Sequence, residues 1–136
     1  MSNIEKTLSI IKPDAVERNL EDEIKKEFVN KGFKIAKEKK IQLAKSEAEE
    51  FYKIHETKPF YNDLCAYLSS GPIVVMVLEK EAAIMANREL MGATDPKKAG
   101  EGTLRKKFGI SIDKNSVHGS DSLENAKIEI NFFFKD

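Results

Sequence analysis

Ile73-Val74-Val75-Met76-Val77-Leu78 is the longest unbroken apolar run in the chain. Such a run is far too short to cross a bilayer. It is mostly β-branched, follows Gly71-Pro72 and ends at Glu79-Lys80-Glu81, so it reads as a strand. Successive side chains on a strand point to opposite faces, and here both faces are apolar. The run is therefore predicted to be a central strand, buried on both sides.

Working outward, Thr7 to Ile11 alternates polar and apolar residues like a strand, and Pro13 stops it. Glu21 to Lys31 reads as a helix with Ile24 and Phe28 on one face and Gly32 as its stop. Phe33 to Leu43 alternates again, with lysines 37, 39 and 40 on a wet face. Ser46 to His55 is predicted as a helix with a Ser46/Glu49 capping box, and Phe60 to Leu68 as a shorter one. Beyond the central run, Glu81 to Met91 is an Ala-rich helix, 92–102 a long loop and Thr103 to Phe108 a short helix. In the last helix Leu123, Ala126, Ile130 and Phe133 share a face, and Asp121 with Glu124 suggests a capping box at its start. The order is β-α-β-α-α-β-α-loop-α-(β)-α. It predicts an α/β fold (an α+β sandwich), with a ferredoxin-like split βαβ antiparallel sheet covered by helices.

The chain has 136 residues, and one domain spanning 1–136 is expected. Lys+Arg and Asp+Glu balance at 23 each, which argues against a general nucleic-acid or anionic-membrane binder. A lone Cys65 excludes an intrachain disulfide and any multi-cysteine metal site. No apolar leader follows Glu5 and Lys6, and a reducing, cytoplasmic setting fits best.

Chemistry-bearing residues are few. One of only two histidines lies in Asn115-Ser116-Val117-His118-Gly119-Ser120-Asp121, beside what reads as a helix entry. Its side chain titrates near neutrality, and a helix N-terminus favours anions such as phosphate. There is no GxxxxGK[ST] loop, no protein-kinase signature and no HExxH or paired-cysteine motif. Phosphate chemistry would have to use side-chain cations. Lys12 follows a strand directly, Arg88 precedes the long loop and Arg105 follows it, with the Thr94 hydroxyl inside. Guanidinium pairs of this kind can converge on a polyphosphate. Taken singly, each has a plainer reading. A histidine before a helix commonly caps or packs, exposed arginines form weak ion pairs, His55 complements a helix dipole, and Tyr52, Phe60 and Leu64 fill a core.

Taken together they have a precedent. Ile11-Lys12-Pro13-Asp14-Ala15-Val16, Tyr52, Pro59-Phe60, Ser70-Gly71-Pro72, Arg88, Gly92 to Pro96, Gly102-Thr103-Leu104-Arg105, Asn115 through Ser122, and Glu129 resemble the nucleoside diphosphate kinase family from Thr7 to Phe134. The Asn-x-x-His-Gly-Ser-Asp segment is its specific signature. The resemblance implies a ferredoxin-like sandwich and transfer of a γ-phosphoryl group, typically from ATP, to a nucleoside diphosphate through a phosphohistidine. It implies His118 as nucleophile, with Glu129 holding its other ring nitrogen and Ser120 in the same network. Lys12, Arg88, Thr94 and Arg105 match phosphate grips, Tyr52 a hydroxyl near the γ-phosphate and Asn115 a contact to the sugar 3′-hydroxyl. Phe60 matches a base-stacking residue, with Leu64 and Ile112 closing the slot. Mg2+ is implied on the nucleotide's phosphates, with no direct protein ligand. So is a homo-oligomer, tetramer or hexamer, with the Pro96 loop at subunit contacts. No nucleic acid or membrane is needed. Asp22 stands where glycine is frequent and Lys58 where arginine is common, and neither matches a catalytic role. The end at Asp136 resembles the short bacterial members.

Three rivals differ in what they require. An RNA-binding sheet of this topology would need exposed aromatics on central strands, and Ile73 to Leu78 is aliphatic. A phosphocarrier would keep the histidine without a base slot such as Phe60 with Leu64. A silent scaffold would not keep the full set of matched residues.

Overall fold

The apolar run is the third strand of a four-stranded sheet. The computed structural model describes residues 4–112 and 114–134. Its elements are β1 (Ile4–Ile11), α1 (Pro13–Glu17), α2 (Glu21–Asn30), β2 (Lys34–Ile41), α3 (Lys45–Phe51), α4 (Tyr61–Leu68), β3 (Ile73–Glu81), α5 (Ala83–Met91), α6 (Leu104–Phe108), β4 (Val117–Gly119) and α7 (Leu123–Phe133). Single 3-10 turns, Lys53–His55 and Pro96–Lys98, interrupt the longer connections. The strand order is β2-β3-β1-β4 with every pair antiparallel, which is the ferredoxin-like arrangement.

The pleat of β3 divides the interior as the sequence requires. Val74, Met76 and Leu78 join Ile24, Phe28, Leu90, Met91 and Leu104 on one side. Ile73 and Val75 join Ala48, Tyr52, Cys65, Leu68 and Phe133 on the other. Helices α2 and α5 thus cover one face, and α3, α4 and α7 the other. Strand β2 is one edge, opposite β4; it carries lysines 34, 37, 39 and 40 and slips register between Ile35 and Lys37. Charged side chains and an irregular register both discourage stray pairing at an edge.

Local details depart from expectation. Pro13 ends β1 but also opens α1, because its fixed φ and missing N–H suit a first helical position. Helix α3 starts at Lys45, not Ser46: the Ala44 N–H donates to Glu47 Oε1 at 2.8 Å, so Ser46 and Glu49 form no capping box. At α7 the cap is Ser122, whose Oγ accepts from the Asn125 N–H at 3.1 Å. Asp121 accepts instead from the Asn125 side chain at 2.6 Å. Leu123, expected on the buried face of that helix, is 51% exposed.

Candidate active site

His118 sits on β4, opposite Ile10 of β1, and not at a helix entry. Its ring therefore faces the α3–α4–α7 side, where Phe51 meets it edge-on with ring centroids 5.5 Å apart. Helix α7 delivers Glu129 from below: His118 Nε2 lies 3.1 Å from Glu129 Oε1. A carboxylate only accepts, so this contact assigns the ring proton to Nε2 and leaves a lone pair on Nδ1. Ser120 Oγ donates to the same Glu129 oxygen at 2.8 Å and accepts from the Leu8 N–H at 3.2 Å. The carboxylate is thus held by the strand that carries the histidine. Tyr52 is buried beside Phe51. Burial, and secondly the nearby Glu129 charge, push its phenol pKa up, so it stays a hydroxyl donor at neutral pH.

The cations arrive from the opposite side of the strand ends. Lys12, at the close of β1, is 6% exposed and its Nζ donates to Asn115 Oδ1 at 2.9 Å. Asn115 Nδ2 in turn donates to the Thr94 carbonyl at 3.2 Å. Arg105 donates from Nη1 to the Gly92 carbonyl (3.1 Å) and from Nη2 to the Val117 carbonyl (2.9 Å), one residue from His118. Its Nε is buried with no partner among the described residues. Burial, then the neighbouring Arg88, lower its pKa to about 10, which leaves it charged at neutral pH. Arg88, Thr94 and Arg105 line one cleft of about 730 Å3, together with Gly92, Asp121 and Leu123. Gly92 has a φ of +82°, and a Cβ there would lie 2.6 Å from the Thr103 hydroxyl, so both backbone and space demand glycine.

A second network fixes the turn before β4. Ser116 holds a φ of 74°, uncommon for a residue with a side chain. Its Oγ lies 2.8 Å from Asp14 Oδ2 and accepts from Arg18 Nη2 at 3.2 Å. The buried Asp14 carboxylate also accepts from Arg18 at 3.0 Å and from the Tyr67 hydroxyl. The α1 helix that sequence reasoning missed therefore anchors Asn115. Phe51, Arg18 and Tyr67 were not singled out either, and Asp14 was quoted only within the Ile11-to-Val16 stretch. Its place two residues after Lys12 was the one usable signal.

The residues expected to receive the base are more loosely arranged. Phe60 is 47% and Ile112 57% exposed, while Leu64 packs partly against the core. The Leu64 N–H donates to the Phe60 carbonyl at 2.9 Å, one turn apart at the start of α4, whereas Ile112 meets neither among the described residues. Phe60 connects inward through His55, whose ring lies 6.2 Å from both Phe60 and Tyr52. Cys65 is fully buried. Asp22 lies in the first turn of α2, as an early-helix acid.

Residues 5–136 match the family model for nucleoside diphosphate kinase. The chain is 58% identical to the nucleoside diphosphate kinase of Wolinella succinogenes and 60% to that of a Nitratiruptor species, over 96% of this chain and of each relative. The crystal structure of the Aquifex aeolicus nucleoside diphosphate kinase superposes with a TM-score of 0.95 at 41% identity, covering 97% of this chain and 96% of that one. The enzyme from Encephalitozoon cuniculi gives 0.93 at 36% identity, over 97% and 90%. With the signature segment on β4 and the match unbroken along the chain, this protein belongs to the nucleoside diphosphate kinase family.

Proposed function

We propose that this chain is a single nucleoside diphosphate kinase domain that moves the γ-phosphoryl group of a nucleoside triphosphate to a nucleoside diphosphate by way of His118. The observation that carries the residue assignment is the Nε2 contact to Glu129 at 3.1 Å, which leaves Nδ1 as the nucleophile.

In the first half-reaction the Nδ1 lone pair attacks the γ-phosphorus in line. The N–P bond forms as the bond to the β,γ-bridging oxygen breaks, and the diphosphate leaves with that electron pair. Attack makes the imidazole cationic, and Glu129, steadied by the Ser120 hydroxyl, stabilises it through the Nε2 proton. A second diphosphate then attacks the phosphohistidine and reverses these steps. Little covalent work is left to the protein beyond positioning and charge stabilisation. Lys12, Arg88, Arg105 and the Thr94 hydroxyl grip the phosphates, Tyr52 supports the γ-phosphate, and Asn115 meets the sugar hydroxyl. Phe60 stacks on the base with Leu64 and Ile112 beside it. Stacking tolerates every base, since each presents a π-face.

The divalent ion is Mg2+ carried on the nucleotide. Glu5, Glu89, Thr94 and Asp121 line the cleft with the arginines, and such a scattered set suits an ion that rides on phosphate and water oxygens with no direct protein ligand. When bound it would spread the charge of the phosphate oxygens. Self-association as a tetramer or hexamer is supported by the family resemblance, with the Pro96 loop at the subunit contacts. The buried lone thiol of Cys65 is compatible with a cytoplasmic setting.

The test is a two-step label transfer. Protein incubated with γ-labelled ATP and Mg2+, then freed of nucleotide, is expected to hold an acid-labile label on His118. A different unlabelled diphosphate should release it as the new triphosphate. Equal labelling of the His118→Gln variant overturns the assignment.

A further inference from the structure

Helix α5 carries a fully buried asparagine, Asn87, next to the phosphate-gripping Arg88. Neither Nδ2 nor Oδ1 has a hydrogen-bond partner among the described residues. A Cβ added to Gly119 would lie 2.3 Å from Asn87 Nδ2, so the carboxamide rests directly on the backbone between His118 and Ser120. Gly119 pairs across the sheet with Ser9 of β1. Directly opposed residues on paired strands share a face, so the Ser9 hydroxyl points to the same α5 side. Thr7, two residues back, shares that face. Ser9 and Thr7 are also fully buried, and each hydroxyl is likewise unpartnered among the described residues.

Four unpartnered polar atoms in one region between α5 and the sheet call for an occupant that can donate and accept. Orphaned buried polar groups are rare in folded proteins. Buried waters typically serve such groups, making two to four hydrogen bonds each. The walls are neutral, which suits water and not an ion. The position also has a mechanical consequence. It lies where α5, bearing Arg88, meets β4, bearing His118.

We propose that Asn87, Ser9 and Thr7 enclose a buried water site beneath Gly119, and that through it Asn87 acts as a positioning residue, setting the phosphate-gripping helix against the histidine strand. The second half rests on the roles of Arg88 and His118 given above. The water site does not.

Wild-type protein without nucleotide is the first sample. Water cross-relaxation NMR is expected to show long-lived water at the Asn87 side-chain amide protons, and no such signal overturns the site. Thermal melts come next. Asn87→Leu keeps the shape but removes both polar atoms. At a dry site that exchange is neutral or stabilising, whereas loss of a hydrated network lowers the melting midpoint. Asn87→Leu and Ser9→Ala should each lower it, and the double variant should fall little below the worse single one. An unchanged or raised midpoint for Asn87→Leu, or fully additive shifts, overturns the shared water. Last, the single-turnover phosphorylation rate of Asn87→Leu should drop about tenfold or more, with KM for nucleotide unchanged. An unaltered rate overturns the positioning role. His118→Gln should keep the water signal, so failure of the nucleophile assignment is distinguishable from failure of this site.

Discussion

The surroundings of His118, the proposed chemical end of the site, and those of Phe60, its proposed base end, are built differently. Around His118 several groups are held by the fold itself. His118 is tied to Glu129, Glu129 to Ser120, and Arg105 to two backbone carbonyls. Lys12 and Asn115 are both nearly inaccessible. At the base end Phe60 and Ile112 stand about half exposed. The contrast teaches where rigidity is useful. Charge developing on a transferring phosphoryl group is stabilised best by dipoles that need not reorganise. If the proposed mechanism holds, a flat apolar lip that only stacks has no hydrogen-bond pattern with which to reject one base, and catalytic power and broad substrate choice are divided between the histidine side and the Phe60 side.

The comparison breaks most easily at Arg105. Arg105→Ala is expected to lower kcat/KM by about 10²–10³-fold and also to lower the melting midpoint, because the Gly92 and Val117 carbonyls lose their donors. Arg105→Lys should rescue little, since a single ammonium cannot span both carbonyls and still face phosphate. Full activity in the lysine variant would mean that point charge suffices and preorganisation does not matter. Glu129→Gln comes next. A glutamine amide can donate to Nε2 and shift the ring proton to Nδ1, so kcat should fall about 10²-fold with KM little changed. Equal losses in kcat and KM would show that Glu129 shapes binding and not the nucleophile.

How far the sequence disclosed this arrangement depends on the reach of each interaction. The central strand was legible because burial on both faces leaves an uninterrupted apolar run. The ferredoxin-like sandwich followed from the alternation of elements. The members of the cleft were legible as a resemblance, and the loop flanked by Arg88 and Arg105 does bring them to one cleft. Cap positions slipped by one or two residues because adjacent polar residues compete, as Asp121 and Ser122 do, and because a glutamate can satisfy a cap N–H behind an alanine. The Phe51 contact with His118 and the Asp14 anchor of Ser116 join residues far apart in sequence, where no periodicity reports them. Asn87 was invisible for a related reason: a polar residue on an amphipathic helix reads as solvent-facing until the helix is docked.

The base end is sharpened by Phe60→Ala. Removing the stacking ring should weaken nucleotide binding by about 1–3 kcal/mol, roughly 5–150-fold, measured by calorimetry. The loss should be similar for purine and pyrimidine nucleotides, and label transfer to His118 at saturating nucleotide should persist. A loss confined to one base class would mean that the lip discriminates after all.

The smallest effect lies at the seam. His55 packs between Tyr52 of the buried end and Phe60 of the exposed one. Burial lowers its pKa from the ordinary 6.5. Lys58 and His118 lower it further, against an opposing pull from Asp121. The unfolded chain therefore holds a proton on this ring at a pH where the folded chain does not. Stability attributable to His55 is complete above about 6.5, falls as the pH drops through that value, and stops changing below the folded pKa. His55→Gln removes the titration while keeping a polar side chain. Urea midpoints followed from about pH 8 to pH 5 should decline less in the variant than in the parent, and the difference should grow from near pH 6.5 downward. Parallel curves would mean that the ring is as free to protonate in the fold as in water. The seam would then belong with the open lip and not with the rigid end.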